Sequence, residues 1–498
     1  MGSKIIIVLD CGATNISVSG IDSKGNIVMT ESYPNSPVKQ PGKNSELLIW
    51  DTDEIWAKIC KASRKVCKHI DKKNIIGVTV TTFGADGTFV DSLGNLIYPV
   101  ISWQCKRTEG LIKELGKDIN YKEVYELTGY KPIYFNTLYR ILWLRKNAPH
   151  TFKKAGKWLM MPGIINHRLT GRFSIDVTSA STTMAMNMKD KTWSGKMLSL
   201  IGVDSSIFPD WVEPGNSAGK VTKKASLETG LPEGTDVLAA GHDTQFALVG
   251  SGAKQDEVVL SSGTWEILIV RAREFKPSQN TYNNGVIFES DAQKGLWNPQ
   301  LLMIGSGVLE WVKKNIYGFD SSAGSVYEKL IAEAGKVSPG SNQLIFTPGF
   351  VQGTGPMQKY KIPGMLSGLT LNTTRAEIYR SALEGLSFQL KSALEVIKAS
   401  INFSPKSIRV AGGGAKNKLW NQIRADVTGL PVIITSQKEI TALGAALIGF
   451  VGKGVYKSLT AALDNINFKE EVVEPSKHKK EYIKPYEKFI KLHSRGRS

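Results

Sequence analysis

The alternation of apolar and polar residues predicts two similar strand–turn–strand segments. The first covers residues 5–21: an apolar strand, a tight turn containing Gly12, and a second apolar strand. Residues 259–270 repeat that order around Gly263. A glycine lets the backbone come close to an anion, and successive turn amides point at its oxygens. The pattern therefore predicts two hairpins that together hold a phosphate group.

Helical and strand patterns alternate through the rest of the first half, which is typical of an α/β domain. Residues 52–70 carry apolar side chains at helical spacing, and Asp51 or Asp53 stands at the position of an N-cap. We expect a buried strand at 75–81 and a hairpin at 90–102.

The second half has the same mixture of patterns. We expect a long helix at 374–399, a strand at 408–410 and a helix at 417–427. A chain of 498 residues is too long for one hydrophobic core. We therefore predict two domains, residues 1–250 and 251–498.

Composition narrows the class of protein. Apolar residues make up 41% and charged residues 22% of the chain, as in ordinary globular proteins. No apolar run reaches the roughly 18 residues that cross a bilayer, and no cleavage site follows the first strand. The four cysteines are too few and too scattered for a disulfide framework. We expect a soluble cytoplasmic protein without a membrane partner.

The net charge of +18 raises nucleic acid as a partner. The excess is spread along the chain, mostly on lysines that are not interleaved with aromatic residues. It is densest at residues 475–498. We favour a solvated basic surface that attracts an anionic nucleotide, and no nucleic acid partner.

Two acidic residues stand where apolar strands end. Asp10 adjoins the Gly12 turn, so a divalent cation such as Mg²⁺ could join its carboxylate to a phosphate; alternatively it caps the turn. Asp243 follows a strand at 236–240, at the sheet edge where α/β proteins bind ligands. It could accept the proton of a substrate hydroxyl during phosphoryl transfer. Its neighbour His242 either orients a sugar or is structural.

Nucleotide-binding motifs of the common kinds are absent from the sequence. Neither a P-loop nor a dinucleotide fingerprint occurs. Three glycines at 412–414 follow a strand and open a helix, a geometry suited to close approach of a ligand or simply to helix packing.

Taken together, these motifs resemble the FGGY carbohydrate kinase family over nearly the whole chain. The resemblance implies an α/β fold with two actin-like, ribonuclease H-like domains flanking a cleft for ATP and sugar. Residues 1–250 would bind the sugar and residues 251–498 the nucleotide. The matching motifs lie at residues 10–15, 241–243, 262–265, 368–371 and 412–415.

The resemblance implies an ATP-dependent kinase that phosphorylates a small ketose and uses Mg²⁺. Asp243 would be the general base and Asp10 the metal ligand. The residues carried over for the phosphates and the nucleotide are Gly12, Thr14, Asn15, Gly263, Thr264, Gly413, Gly414 and Asn417.

The sugar pocket departs from the family pattern. Many relatives have Trp-x-Asp-x-Arg, whereas here Cys105 stands between Trp103 and Arg107 in the acid's place. A thiol does not accept a hydroxyl hydrogen bond as a carboxylate does. We therefore expect the sugar contacts to come from Asp86, Trp103 and His242.

The motifs leave the particular ketose open, and a homo-oligomer is compatible with the sequence. An actin-like fold also supports ATP-gated filament or sensor proteins. The acid at Asp243 and its histidine neighbour favour the enzyme.

Overall fold

The structure is a computed structural model that describes residues 3–42, 46–319, 324–351, 353–356, 363–435, 437 and 439–495. Its strands are β1 (Ile5–Cys11), β2 (Asn15–Asp22), β3 (Ile27–Pro34), β4 (Val38–Lys39), β5 (Leu48–Trp50), β6 (Ile75–Thr82), β7 (Gly87–Val90), β8 (Val100–Ile101), β9 (Lys157–Met160), β10 (Met186–Asn187), β11 (Thr192–Trp193), β12 (Ser217–Lys220), β13 (Asp236–Leu238), β14 (Glu257–Ser262), β15 (Trp265–Ile269), β16 (Ile287–Ser290), β17 (Trp297–Ile304), β18 (Ile345–Thr347), β19 (Met365–Ser367), β20 (Ser407–Ala411), β21 (Val432–Thr435) and β22 (Glu470–Val473).

Its helices are α1 (Thr52–Lys68), α2 (Glu109–Leu115), α3 (Tyr121–Thr128), α4 (Thr137–Asn147), α5 (Pro149–Lys153), α6 (Met161–Thr170), α7 (Val177–Ser181), α8 (Gly195–Leu200), α9 (Lys223–Thr229), α10 (Asp243–Gly250), α11 (Gln279–Asn283), α12 (Ser306–Asn315), α13 (Gly324–Gly335), α14 (Arg375–Ile401), α15 (Lys418–Thr428), α16 (Ile440–Gly452), α17 (Leu459–Asp464) and α18 (Ile483–Arg495).

The chain divides into two compact units that do not follow sequence order. Packing adds two later segments, residues 288–297 and 439–467, to the first unit. Unit 1 comprises Met1–Gly252, Phe288–Trp297 and Glu439–Asn467, and unit 2 comprises Ala253–Ile287, Asn298–Lys438 and Phe468–Ser498.

Unit 1 is built on a sheet with the strand order β12-β13-β6-β1-β2-β3. The central strands β1, β6 and β13 are parallel, and β2 and β3 continue antiparallel from β1. Ile5–Leu9 of β1 are buried, as expected for a strand covered on both faces. Helix α1 begins at the N-cap Asp51, whose side chain accepts from the amides of Asp53 and Glu54. The predicted hairpin and helix are confirmed here.

Unit 2 repeats this topology. Its strands follow the order β17-β15-β14-β20-β21-β22, with β14, β20 and β21 parallel and β15 and β22 antiparallel to their neighbours. The two hairpins recognised in the sequence, β1–β2 and β14–β15, therefore occupy equivalent positions in the two sheets. This doubled ribonuclease H-like architecture is the one expected from the resemblance.

The turn of the hairpin predicted at 90–102 is confirmed, since the amide of Asp91 donates to the carbonyl of Asn95 at 3.0 Å and the amide of Ile97 donates to the carbonyl of Phe89 at 3.1 Å, but the rest of the predicted second strand pairs elsewhere. Strand β7 pairs with β9, and β8 pairs with β5. The side chain of Asp91 closes a short turn by accepting from the amides of Leu93 and Asn95, and Val90 then makes a single bridge with Leu96. Pro99 lacks the N–H group that would continue this ladder, so the chain leaves β7 and joins β5 instead.

A close helix crossing completes unit 1. Helix α16 packs against α10 and against β1 and β6. A Cβ on Gly444 of α16 would overlap the carbonyl oxygen of Phe246 in α10, and one on Gly250 would overlap that of Ile440. Glycine at both positions lets the two backbones touch. Among the helices of the described residues, none combines the length and the apolar character needed to cross a membrane.

Candidate active site

The C-terminal ends of three parallel strands of unit 1 bring the sequence-predicted acids to one edge of the sheet. Asp10 lies at the end of β1, and its carboxylate accepts from the hydroxyl of Thr81 in β6 at 2.9 Å. Strand β13 lies next to β6 in the sheet, and the loop after β13 contains Gly241. The amide of Thr82 at the end of β6 donates to the carbonyl of Gly241 at 2.9 Å. This is the edge at which α/β sheets bind ligands.

Asp243 occupies the first residue of α10. Its Oδ1 accepts from the amide of Thr244 at 2.6 Å. Burial raises the pKa of Asp243, and the neighbouring His242 opposes that rise. An acid of raised pKa that is still partly exposed suits the role of a general base.

Asp10 has the electrostatic character of a metal ligand. Burial and the nearby carboxylate of Asp243 raise the pKa of Asp10 to about 7. A divalent cation would relieve this repulsion, and oxygen ligands are those that Mg²⁺ prefers. The described residues contain no group of three or more histidine, cysteine and acidic side chains arranged to hold a metal ion. Kinase sites hold Mg²⁺ with one or two carboxylates, waters and substrate phosphates, so Asp10 fits this role.

The turn after Asp10 has a cap of its own. The side-chain amide of Asn35 donates to the carbonyl of Gly12 at 2.8 Å, and the backbone amide of Asn35 donates to the carbonyl of Thr14 at 2.7 Å. Thr14 and Asn15 are exposed at the tip. Asn35 therefore holds two carbonyl groups of this turn.

The loop after β6 is held in a strained conformation beside this edge. Ala85 has a φ of 67°, the left-handed region that costs a residue with a side chain about 1–3 kcal/mol. The Thr182 hydroxyl accepts from its amide at 2.9 Å, and the Thr137 hydroxyl donates to its carbonyl at 2.8 Å. These two hydrogen bonds hold the backbone of Ala85 and so fix the position of the next residue, Asp86.

Asp86 is fully buried, and protein groups engage both of its carboxylate oxygens. Trp50 Nε1 and the amide of Trp103 donate to Oδ2 at 2.6 and 2.9 Å, and Arg140 forms an ion pair with Oδ1. Burial raises the pKa of Asp86, and Arg140 counters that rise. The Nη2 group of Arg140 has no hydrogen-bond partner in the described part of the chain. Sequence reasoning missed Arg140, because helix α4 carries no motif that marks it.

Cys105 faces an arginine. Its Sγ accepts from Arg107 Nε at 3.1 Å and from the amide of Leu48 at 3.4 Å. Burial alone would raise the pKa of this thiol, but the hydrogen bond from Arg107 lowers it below its usual value. The residue in the place of the family's acid is therefore tied to the protein scaffold.

His242 is fixed on three sides. Its amide donates to the Thr178 hydroxyl at 2.9 Å, and its ring lies so close to Gly84 that a Cβ there would be 2.9 Å from Nε2. Nδ1 lies 3.0 Å from Glu289 Oε2. Burial, the largest single influence, disfavours the imidazolium, but the carboxylates of Glu289, Asp243 and Asp176 together outweigh burial and raise the pKa of His242 to about 9, with Glu289 contributing most among them. Sequence reasoning missed Glu289, which belongs to a late segment of the chain.

In unit 2, the turn between β14 and β15 lies against the start of α12. The amide of Ser306 donates to the carbonyl of Gly263 at 2.8 Å, and the amide of Gly305 donates to that of Thr264 at 3.0 Å. Apart from its two chain neighbours, no atom of the described residues lies closer than 3.7 Å to a Cβ built on Gly263. The tip of this turn is thus open to a ligand.

The glycine turn after β20 is braced on this hairpin. Arg424 Nη2 donates to Ser262 Oγ at 2.7 Å and forms a fully buried ion pair with Glu266. A Cβ on Gly414 would collide with Ser262 Oγ. Gly412 has a φ of 91°, which favours glycine.

The predicted nucleotide residues differ in exposure. Gly413 is exposed, and the part of the chain that the structure describes places no atom beyond its chain neighbours within 4 Å of a Cβ built on it. Asn417 is buried, and its side chain caps α15 by accepting from the amide of Trp420 at 3.0 Å. Asn417 therefore fixes the helix N-terminus at this turn.

The doubled sheet and the acids at its edge define a phosphotransferase-like site, and comparisons with known proteins give the family. The chain belongs to the FGGY family of carbohydrate kinases: residues 5–250 match the family's N-terminal domain and residues 258–452 its C-terminal domain. It is accordingly an ATP-dependent carbohydrate kinase.

Relatives and solved structures agree with this assignment. L-fuculokinase from Escherichia coli strain K12 is 38% identical, with 94% of this chain and 96% of that protein covered. L-fuculokinase from Haemophilus influenzae is 36% identical, with 92% and 97% covered. The crystal structure of xylulose kinase from Rhodospirillum rubrum shares the fold, with a TM-score of 0.89, 21% identity and 99% of each chain covered.

Proposed function

We propose that this chain is an L-fuculose kinase, which transfers the γ-phosphoryl group of ATP to O1 of L-fuculose and yields L-fuculose 1-phosphate and ADP. The observation that carries the proposal is the 38% identity to an L-fuculokinase over 471 residues, which includes both domains. The acids at the sheet edge of unit 1 are of the type that this chemistry requires.

Asp243 is the proposed general base. In the transfer, the O–H bond of the sugar hydroxyl breaks and its proton passes to the Asp243 carboxylate. The sugar oxygen bonds to the γ-phosphorus, and the bond from that phosphorus to the β–γ bridging oxygen breaks to release ADP. Partial exposure of Asp243 lets a hydroxyl reach its carboxylate.

Asp10 is the proposed Mg²⁺ ligand. Mg²⁺ bound there would neutralise negative charge on the phosphate oxygens. The Thr81 hydroxyl orients the Asp10 carboxylate by its 2.9 Å hydrogen bond. The exposed turn that follows supplies backbone groups for phosphate contacts, with Gly12, Thr14 and Asn15 as the proposed residues.

Unit 2 is proposed to bind the nucleotide. Gly263 and Thr264 at the open hairpin tip would contact phosphates, and Gly413 and Gly414 would let the nucleotide approach the backbone. The buried Glu266–Arg424 pair supports this by tying the hairpin to the glycine turn. Asn417 would act from the N-terminus of α15.

The sugar is proposed to lie against Trp103 and His242. Asp86 acts on it chiefly through Arg140, because both carboxylate oxygens of Asp86 already accept from protein donors. A guanidinium group with an unpaired Nη2 can donate to a sugar hydroxyl.

A ketose panel tests the proposal. Release of ADP by the full chain with Mg²⁺-ATP is measured with L-fuculose, L-rhamnulose, D-ribulose, D-xylulose and no sugar, and the phosphorylated product is identified by NMR. We expect kcat/KM to be highest for L-fuculose and the phosphate to be on O1. A higher kcat/KM with another ketose would identify that ketose as the substrate in place of L-fuculose. ADP release independent of sugar would contradict the kinase function.

A further inference from the structure

A buried carboxylate from a late segment of the chain contacts the histidine beside the proposed base. Glu289 in β16 is 2% exposed. Its Oε2 lies 3.0 Å from His242 Nδ1 and accepts from Gln245 Nε2 at 2.5 Å, and its Oε1 accepts from the hydroxyl of Tyr130. Residues 288–297 belong by packing to unit 1, so these contacts lie within one unit.

The pattern of partners makes His242 the counterion of Glu289. Tyr130 and Gln245 are neutral donors, whereas His242 becomes a cation when both ring nitrogens carry protons. A buried carboxylate is stabilised by a cation far more than by neutral donors. The same contact lowers the pKa of Glu289 despite its burial.

The other ring nitrogen of His242 is directed at the proposed base. Nε2 lies 3.5 Å from Asp243 Oδ1. The charged and titratable groups that face the imidazole are Glu289 from β16, Asp243 from α10, Asp176 from the N-cap of α7, and Tyr130 beyond Glu289. All three acids favour the protonated ring.

We infer that Glu289 is a positioning residue for the phosphoryl transfer: it fixes the His242 ring as an imidazolium whose Nε2 faces Asp243. The inference deepens the proposed function and rests on Asp243 being the base. A cation at this place keeps the Asp243 carboxylate ionised against the effect of burial, so that the carboxylate can take up the hydroxyl proton. Glu289 thus acts on Asp243 indirectly, through the charge and orientation of His242.

A spectroscopic test needs no substrate. The full chain is labelled with ¹⁵N at its histidine rings, six in all, and the signal of His242 is assigned by its loss in His242→Asn. We expect wild-type His242 to be doubly protonated at pH 7 and to titrate near pH 9. In Glu289→Gln, which keeps size but removes charge, we expect neutral His242 at pH 7. A wild-type ring that is neutral at pH 7, or a titration unaltered in Glu289→Gln, would overturn the inference.

The pH profile of kcat gives the second test. Loss of the imidazolium raises the pKa of Asp243, so in Glu289→Gln the acidic limb should move to higher pH by about one unit, with about tenfold lower kcat on that limb. Activity should recover towards wild type at alkaline pH. A loss of equal size at every pH would mean a merely structural role and contradict the inference.

Two further variants separate charge from hydrogen bonding. Glu289→Asp keeps the negative charge, and Tyr130→Phe removes one hydrogen bond from the same carboxylate while leaving its charge. We expect both to retain the wild-type acidic limb. If Glu289→Gln fails to fold, as judged by circular dichroism, the wild-type titration of His242 and the Glu289→Asp profile still decide the question. If wild type turns over no ketose, the proposed function fails, while the NMR result judges the Glu289–His242 pair independently.

Discussion

At the scale of residues, the site consists of acids whose charge is set by a small number of neighbours. The Asp243 carboxylate adds to the rise that burial causes in the pKa of Asp10, and His242 opposes the rise that burial causes in the pKa of Asp243. Asp86 is balanced by Arg140 in the same way. Each acid is thus matched to a particular cation or proton donor, and removing one partner should alter one step of the reaction.

Replacing Asp243 by Asn should remove the base and leave the fold intact, because the amide oxygen can still accept from Thr244. General base catalysis contributes about 10² to 10⁴ in rate, so we expect kcat to fall by roughly that factor with KM for the sugar little changed. Steady-state kinetics of purified Asp243→Asn measure this. Asp464→Asn, an exposed acid on α17, is the matched control, and wild-type turnover in Asp243→Asn would remove the base assignment.

Replacing Asp86 by Asn should leave Arg140 buried without its anion. Breaking a buried pair from one side costs about 3–5 kcal/mol, so we expect a lower Tm together with a higher KM for the sugar and an unchanged KM for ATP. Arg140→Lys keeps the positive charge but loses the planar fork, and should raise the sugar KM with a smaller loss of Tm. A wild-type sugar KM in Asp86→Asn would exclude Asp86 and its pair from sugar binding.

Some site residues could be predicted because they adjoin a recognisable sequence motif, and others could not. Asp10 and Asp243 could be predicted, because each follows an apolar strand and adjoins a recognisable motif. Arg140 and Glu289 could not, because their partners Asp86 and His242 lie 54 and 47 residues away in sequence. A single buried charge in a helix or strand gives no pattern until tertiary contacts bring its partner to it.

At the scale of elements, short-range patterns predicted the strands and helices better than their pairing. The hairpins β1–β2 and β14–β15 were predicted because their strands are joined by tight turns. The pairing of β7 with β9 was not, since it joins Val90 to Lys157 across several helices. Strand partners distant in sequence are chosen by the packing of the whole unit, which a local pattern does not contain.

The crossing of α10 and α16 depends on glycine, so Gly444→Ala should push the two helices apart. We expect a loss of about 1–3 kcal/mol in the free energy of unfolding, because the added methyl group meets the Phe246 carbonyl. The kcat should fall too, since α10 carries Asp243 at its first residue. Chemical denaturation and steady-state kinetics measure both effects.

Gly110→Ala is the matched control for this change. Gly110 lies in α2, and among the residues that the structure describes, no atom outside its own helical turn lies within 4 Å of a Cβ built on it. Alanine there should raise the free energy of unfolding by about 0.5–1 kcal/mol. Equal stabilities of Gly444→Ala and wild type would show that the helices tolerate a wider separation.

At the scale of the whole molecule, one sheet topology occurs twice, and the repeat was visible in sequence only at its first hairpin. Beyond the hairpins the two units differ in loop length and in inserted helices, so the similarity of β6 to β20 and of β13 to β21 emerges only from the strand order. The two late segments in unit 1 had no sequence signal, because membership of a unit is a property of packing.

A fragment of residues 1–252 should therefore fail to fold as an independent domain. It lacks Glu289 and the apolar helix α16, whose residues 442–450 are buried in the full chain. We expect it to bind a hydrophobic dye and to melt without a cooperative transition, whereas the full chain melts cooperatively. Adding a peptide of residues 439–467 should recover part of the transition. A sharp transition in the fragment alone would contradict this prediction.

The late position of α16 also sets an order of events at the ribosome. The strands and α10 of unit 1 leave the exit tunnel long before residues 439–467 have been synthesised. At about 5–20 residues per second, the groove that receives α16 stays uncovered for roughly ten to forty seconds. During translation the nascent chain thus presents an apolar surface that a chaperone can bind, and its first unit becomes complete only after residues 439–467 have been synthesised.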